Sequence, residues 1–106
     1  MKYMKKYAMM LMNPLFQPQE DTACFRTGDI ENYILTVRNE EEALKKTEEL
    51  VKEGIGILEV CGAFGQEMAH KMRQISQGKL CIGYVVYDPD QMEQLENFWA
   101  TENDGD

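Results

Sequence analysis

The segment Glu59-Val-Cys-Gly-Ala-Phe-Gly65 holds the residues best suited to chemistry. Glycines at a turn from a strand into a helix let the backbone approach a ligand, and the N–H groups at the start of the helix attract anions. The Gly-x-x-Gly spacing lacks the fuller dinucleotide and phosphate-loop patterns, and no Lys-Ser or Lys-Thr follows it. The segment therefore predicts an anion-binding turn, and the alternative is a tight turn that only packing requires.

Two residues of this segment are candidate catalytic groups. Cys61 lies where a helix N-terminus can lower the pKa of a thiol, and Glu59 could act as a general acid or base if its side chain faces the site. Each has a structural alternative, because free cysteines are often buried and a carboxylate near a strand end often faces solvent.

The rest of the sequence offers few groups for catalysis or metal binding. His70, the only histidine, shares a predicted helical face with Arg73 and Gln74 and is expected to face solvent. Ser76, the only serine, does not lie in a nucleophile elbow. The three cysteines lack C-x-x-C spacing, so we expect no disulfide framework, no metal site and no cofactor.

The elements that must position these residues follow from hydrophobic periodicity and turn signals. Apolar runs predict four strands, over residues 3–12, 30–38, 55–61 and 80–87. Helices are predicted to begin after Asn39, after the turn that ends at Gly65, and at Asp88-Pro89 as N-cap and first helical residue. The order β-β-α-β-α-β-α predicts one small α/β domain over residues 1–100 with a mainly parallel four-stranded sheet. An acidic tail, 101–106, is expected to be disordered.

The helices carry more detailed predictions. Asn39 and Glu42 have the spacing of a capping box, and Gly54 is expected to end the first helix. The second helix is expected to bury Met68, Met72 and Ile75 and to end near Gln77-Gly78. In the last helix the residues predicted to face inward are Met92, Leu95 and Phe98 or Trp99. Cys81 is predicted to lie in the core.

The carboxyl ends of parallel strands are where α/β proteins bind ligands. These ends are predicted to bring together Asn13, Arg38 and the Cys61 turn, beside a long loop, 13–29, that carries Arg26. The predicted ligand-binding residues are Asn13, Arg26, Arg38, Cys61, Gly62, Ala63, Phe64 and Gly65.

Composition limits the partners. The net charge of −8 and the scattered cations argue against nucleic acid. The apolar run at residues 7–12 is too short for a secretory signal, and no stretch approaches a membrane span, so a cytoplasmic protein is expected. Three helices are few enough to leave one sheet face partly uncovered, which favours a homo-oligomer.

Several segments together resemble a family of small bacterial proteins of about 100 residues that is catalogued as a domain of unknown function. They are Lys6-Tyr7-Ala8-Met9-Met10, Asn13-Pro14-Leu15-Phe16, Ala23-Cys24-Phe25, Asn32-Tyr33, Val37-Arg38-Asn39, Cys61-Gly62-Ala63-Phe64-Gly65 and Ile82-Gly83-Tyr84-Val85. The resemblance implies a stand-alone bacterial cytoplasmic protein and carries no catalytic assignment.

Three functions remain open from the sequence. The first is binding of a small anionic molecule, in a regulatory or accessory role, at the carboxyl ends of the strands. The second is a small α/β enzyme that acts on a carbonyl or carboxylate metabolite through Glu59 or Cys61. The third is a protein-interaction module that uses an uncovered sheet face.

Overall fold

The computed structural model describes residues 4–100. Its strands are β1 (Lys5–Met12), β2 (Ala23–Thr27), β3 (Ile30–Val37), β4 (Ile57–Val60) and β5 (Cys81–Tyr84). Its helices are α1 (Glu40–Lys52), α2 (Gly65–Ser76) and α3 (Met92–Ala100), and a 3-10 turn (Pro89–Gln91) precedes α3. The predicted acidic tail, 101–106, lies outside the described residues, as does the predicted first residue of the first strand.

The five strands form one mixed sheet in the order β2-β3-β1-β4-β5. β1 pairs in parallel with β3 and β4, and β4 pairs in parallel with β5. The predicted small α/β fold with a mainly parallel sheet is therefore confirmed, but the prediction of four strands is wrong.

The additional strand, β2, lies inside the segment that was expected to be a loop. It pairs antiparallel with β3, and Gly28 and Asp29 alone connect the two strands. Gly28 has a φ of 62°, a conformation that glycine adopts readily and that short hairpin loops require. The Thr-Gly-Asp turn is thus a hairpin loop, and β2 forms the outer edge of the sheet.

Both crossover helices cover the same face of the sheet. The connections from β3 to β4 and from β4 to β5 run in the same direction across the sheet, and α1 packs against α2. Beneath them lies the core, which includes Ala8, Met10, Leu58 and Val60, each fully buried. The opposite face keeps exposed apolar side chains, among them Phe25 and Ile57, so the expectation of a partly uncovered face is confirmed.

Helix α1 follows its sequence signals closely. The Asn39 side chain accepts a hydrogen bond of 2.9 Å from the backbone N–H of Glu42, and Gly54 follows the helix with a φ of 83°. The Glu42 carboxylate accepts from the backbone N–H of Arg38 rather than from that of Asn39, so the capping box is displaced by one residue.

Three burial predictions are wrong. Helix α3 buries none of its residues, and Phe98 and Trp99 are about 70 % exposed, because α3 packs mainly against the 3-10 turn and not against the sheet. Cys81 is exposed because its side chain lies on the uncovered face, level with Ile57. Ile75 is partly exposed, and Ser76 is buried in its place and donates to the Arg73 carbonyl.

The three helices contain 13, 12 and 9 residues. A bilayer span needs about 20 apolar residues. Within residues 4–100, no helix has the length and apolar character to cross a membrane.

Candidate functional site

The carboxyl ends of the three central strands meet at one edge of the sheet, as predicted. Backbone bonds beyond the strands tie this edge together: Asn13 donates to the Val37 carbonyl and Cys61 donates to the Met10 carbonyl, each at 3.1 Å. Arg38 follows β3 at the same edge. Asn13, Arg38 and the Cys61 turn are therefore brought to the same edge.

The turn after β4 has the geometry expected of a short connection into a helix. The backbone N–H of Phe64 donates to the Cys61 carbonyl, and the Phe64 ring is buried in the core. Gly65, with a φ of 76°, begins α2, and no side chain caps that helix. The ring of Tyr87 lies over Gly62. A Cβ atom added at Gly62 would lie 3.3 Å from Cε1 of Tyr87. Tyr87 thus occupies space directly beside the turn.

Asn13 uses its side chain locally. Its Oδ1 atom accepts a hydrogen bond of 2.8 Å from the backbone N–H of Leu15, which shapes the start of the first loop. Ligand binding by Asn13 and by residues 61–65 stays a prediction.

Arg26 lies away from this edge. It is in β2 opposite Glu31, near the start of β3, and its guanidinium forms a 2.6 Å ion pair with the Glu31 carboxylate. Glu31 and Val37 are separated by about 20 Å along β3, at about 3.3 Å per residue. The antiparallel direction of β2 thus carries Arg26 to the opposite end of the sheet from Arg38.

Arg38 lies at the predicted edge but is already paired. Its Nε and Nη2 atoms donate to Oε2 of Glu42 at 2.9 and 2.5 Å, while its backbone N–H donates to Oε1. The hydrogen bonds from the Arg38 side chain and backbone hold the pKa of Glu42 below its usual value. An anion that binds Arg38 would have to compete with this carboxylate.

Glu59 projects from the uncovered sheet face rather than into the strand-end turn. The hydroxyl of Tyr7 on neighbouring β1 donates to its Oε1 atom at 2.5 Å. This hydrogen bond, reinforced by burial and by the negative charge of Glu59, raises the pKa of Tyr7 to about 12. A catalytic role for Glu59 or for the half-buried Cys61 stays a prediction.

His70 is exposed, as predicted, and borders a hollow at the end of the sheet opposite to Cys61. It lines a shallow hollow with Arg73, Gly78 and Leu80, the last two of which lead into the amino end of β5. Cys61 lies at the carboxyl end of β4, so the fold does not bring the two together as a dyad. Among residues 4–100, no three His, Cys, Asp or Glu side chains are grouped as metal ligands would be.

A cleft of about 540 Å³ lies at the carboxyl end of β3, between the first loop and α1. This volume is within the range of small-molecule sites, roughly 300 to 1,000 Å³. Its lining residues are Phe16, Gln17, Pro18, Gln19, Glu20, Thr36, Val37, Arg38, Glu42, Lys45, Lys46 and Glu49. Of the predicted ligand-binding residues, only Arg38 lines it.

The loop that forms the outer wall of the cleft is fixed by hydrogen bonds. The hydroxyl of Thr36 donates to the Asp21 carbonyl at 2.7 Å, and that of Thr22 donates to the Ile34 carbonyl at 2.8 Å. The Asp21 carboxylate in turn accepts from the backbone N–H of Gln17. Two threonine hydroxyls thus attach the loop to β3 and hold the outer wall of the cleft in place.

Sequence reasoning missed the two lysines of the cleft. Lys45 and Lys46 are on the flank of α1, next to the buried stripe that includes Thr47. The sequence shows that both lysines lie on the predicted helix α1. It does not show that this side of α1 faces the first loop, because the position of that loop depends on β2. The missed strand therefore also concealed the cleft.

One family model matches residues 5–100, and its description is a family of unknown function, DUF6506. No curated protein and no solved structure is significantly similar to the chain.

Proposed function

We propose a function for this chain, which belongs to the DUF6506 family of unknown function, from its geometry: it binds a small anionic molecule in the cleft between the first loop and α1. The observation that carries the proposal is the cleft itself, a cavity of about 540 Å³ at the carboxyl end of a parallel strand. Ligands of open α/β sheets bind at this end of the strands.

The lysines are the cleft residues that favour an anion. Lys45 is exposed and forms no ion pair with any residue of 4–100, and the Lys46 ammonium is 3.4 Å from the Glu49 carboxylate, a long contact. Arg38, in contrast, is held by Glu42 through two side-chain bonds. The ammonium groups are therefore more available to a carboxylate or phosphate than the guanidinium.

The acidic side chains of the cleft narrow the ligand class. Glu20, Glu42 and Glu49 line the same space as the cations, so a ligand with several negative charges would be repelled. Phe16 and Pro18 contribute an apolar wall. A small molecule with one anionic group, some apolar surface and hydrogen-bond donors matches this lining.

Thermal unfolding with single-anion metabolites tests the proposal. The probes are short-chain monocarboxylates and amino acids at constant ionic strength. A ligand at 100 times its Kd stabilises the folded state by about 2.7 kcal/mol. We expect a saturable rise in Tm with at least one of them, and we expect Lys45→Ala to weaken that binding about tenfold.

Lys52→Ala is the matched control, because Lys52 is an exposed lysine of α1 that does not line the cleft. Equal binding by the wild type and Lys45→Ala would place the ligand elsewhere, and the predicted turn at residues 61–65 would be tested next with Gly62→Val. No saturable shift with any probe would overturn the proposal.

The wider setting is also part of the proposal. The chain acts as a single domain over residues 1–100 in the bacterial cytoplasm, forms a homo-oligomer and does not bind nucleic acid. The net charge of −8 supports the last point, and the uncovered sheet face supports the oligomer.

A further inference from the structure

Helix α3 presents an apolar stripe that residues 4–100 leave mostly exposed, with only Leu95 half-buried. Met92, Leu95, Phe98 and Trp99 fall on one side of the helix by their spacing. Phe98 and Trp99 are 68 % and 70 % exposed, and their rings pack edge to face with centroids 4.9 Å apart. Two adjacent aromatic rings with this exposure are typical of an interface anchor.

The uncovered sheet face is a second unpartnered apolar surface of the same chain. By strand register, its central residues are Tyr7, Met9, Ile34 and Ile57. At its amino end lies a hollow of about 610 Å³, large enough for an indole ring. Its lining residues are Met4, Lys5, Lys6, Tyr7, Ile30, Asn32, Gly54, Gly56 and Ile57.

The charges of the two surfaces are complementary. The hollow carries Lys5 and Lys6 and no acidic residue, and Lys5 forms no ion pair within residues 4–100. Beside the apolar stripe, α3 carries Glu93 and Glu96, and the sequence contains no Lys or Arg after Lys79. An acidic amphipathic helix therefore fits a basic-rimmed apolar hollow.

We propose that α3 of one copy of this chain docks on the uncovered sheet face of a second copy, with Phe98 and Trp99 in the hollow beside Lys5. Both surfaces belong to every copy, so a two-fold dimer would make this contact twice, each helix lying on the sheet face of the other copy. The proposal gives the homo-oligomer proposed above its interface and does not depend on the cleft.

The exposed aromatic area of α3 alone comes close to what a stable dimer buries. An aromatic side chain can bury about 150–250 Å². At exposures of 68 % and 70 %, Phe98 and Trp99 would together bury roughly 200–350 Å² per copy. Two helices, with the equal area of sheet that they cover, give roughly 800–1,400 Å² before Met92 and Leu95 are counted, and stable interfaces begin near 1,200 Å².

Light scattering and sedimentation measure the oligomeric state, and Trp99 reports on the contact because it is the only tryptophan. We expect a dimer at micromolar concentration whose tryptophan emission shifts to the red as dilution separates the copies.

Phe98→Ala and Ile57→Glu change the two sides of the contact, and each should raise the dimer Kd at least about tenfold. Ile75→Glu is the matched control because Ile75 is exposed on α2, away from this face, and it should leave the Kd unchanged.

Charge reversal tests the orientation of the helix. Lys5→Glu and Glu96→Lys should each weaken the dimer, and the double variant should recover at least part of the lost affinity. All variants should keep the wild-type circular dichroism spectrum, since α3 has no buried residue and both Ile57 and Lys5 are exposed.

Each failure has a different meaning. A monomer at about 100 μM with solvent-exposed Trp99 would overturn both the oligomer and this interface. A monomer with shielded Trp99 would mean that α3 covers the face of its own chain, which also overturns the proposal. A dimer whose Kd is unchanged by Phe98→Ala and Ile57→Glu would leave the oligomer standing and overturn this interface alone.

Discussion

The hydroxyl of Tyr7 and the carboxylate of Glu59 form a 2.5 Å hydrogen bond between neighbouring parallel strands in the middle of the uncovered sheet face. Tyr7 is level with Ile57 and Glu59 is level with Met9, so the bond runs diagonally across the ladder. It requires the protonated phenol, which is why the pKa of Tyr7 rises to about 12.

This bond predicts a pH-dependent contribution of Tyr7 to stability. The pKa of Tyr7 is higher in the folded protein, about 12, than its ordinary value of 10.0. Its contribution is therefore fully present below pH 10 and is lost as the pH rises from about 10 through 12. Urea unfolding of the wild type and Tyr7→Phe should give a difference in unfolding free energy that is constant up to about pH 10 and then shrinks.

Glu59→Gln provides the control for that experiment, because it removes the carboxylate charge and keeps a hydrogen-bond acceptor. The phenolate absorbance of Tyr7 is the difference between the titration of a protein with Tyr7 and that of the same protein carrying Tyr7→Phe. In the Glu59→Gln background this absorbance should appear at lower pH than in the wild type. Tyr33, whose pKa Glu31 also raises to about 12, contributes equally to both titrations and cancels. An unshifted Tyr7 titration in Glu59→Gln would contradict the proposed cause.

Arg38 is predicted to set the pKa of Glu42. Its side chain lowers that pKa most, and its backbone N–H lowers it further. In Arg38→Ala the pKa of Glu42 should rise toward 4.5 without reaching it, because the backbone N–H remains at position 38. A carboxyl-carbon NMR titration measures the value directly.

Arg26→Ala is the matched variant for that titration. Arg26 pairs with Glu31 and not with Glu42, so its removal should raise the pKa of Glu31 and leave that of Glu42 unchanged. With Arg38 intact, the contribution of Glu42 to stability is present above about pH 4.5 and is lost as the pH falls through its lowered folded-state pKa. The same Glu42 pKa in both arginine variants would mean that Arg38 has no such role.

The N-cap of α1 should have a measurable effect on stability. Asn39→Ala removes the oxygen that accepts from the Glu42 backbone N–H and should cost about 1 kcal/mol of unfolding free energy. Asn39→Ser keeps a hydrogen-bond acceptor and should lower the unfolding free energy by only roughly a few tenths of a kcal/mol. Equal losses in the two variants, measured by urea unfolding, would show that the side-chain bond does not cap the helix.

Local signals in the sequence were sufficient for α1 and for the parallel core. Asn39, Glu42 and Gly54 define helix boundaries through interactions within a few residues, and continuous apolar runs located β1, β4 and β5. The edge strand β2 was missed because all five of its residues are exposed, so it has no buried apolar face to give a periodic pattern. The Gly28 turn was the signal that could have identified the hairpin.

The candidate site was predicted only in part, because its geometry depends on contacts distant in sequence. The strand ends did bring Asn13, Arg38 and Cys61 to one edge, which topology alone dictates. The placement of Arg26 depended on the unforeseen antiparallel strand. The amphipathic pattern of α3 was recognised correctly, but periodicity shows only that a helix has an apolar side and not which surface, or which copy of the chain, covers it.

The turn after β4 contains two glycines that are needed for different reasons: Gly65 for its backbone conformation and Gly62 for the space that Tyr87 occupies. Gly65 has a φ of 76° and open space where a Cβ would stand, so Gly65→Ala should cost about 1–2 kcal/mol through backbone strain alone. Gly62 has no such φ, but an added Cβ would lie 3.3 Å from Cε1 of Tyr87, so Gly62→Ala is opposed by that ring. In a Tyr87→Ala background, Gly62→Ala should become stabilising by about 0.4–1 kcal/mol, because alanine restricts the unfolded chain. Gly65→Ala should lower the unfolding free energy by the same amount with Tyr87 and with Tyr87→Ala. Urea unfolding measures this in six proteins: the wild type and Tyr87→Ala, each alone, with Gly62→Ala and with Gly65→Ala. If Tyr87→Ala changed the effect of Gly65→Ala and not that of Gly62→Ala, the role given to the Tyr87 ring would be wrong.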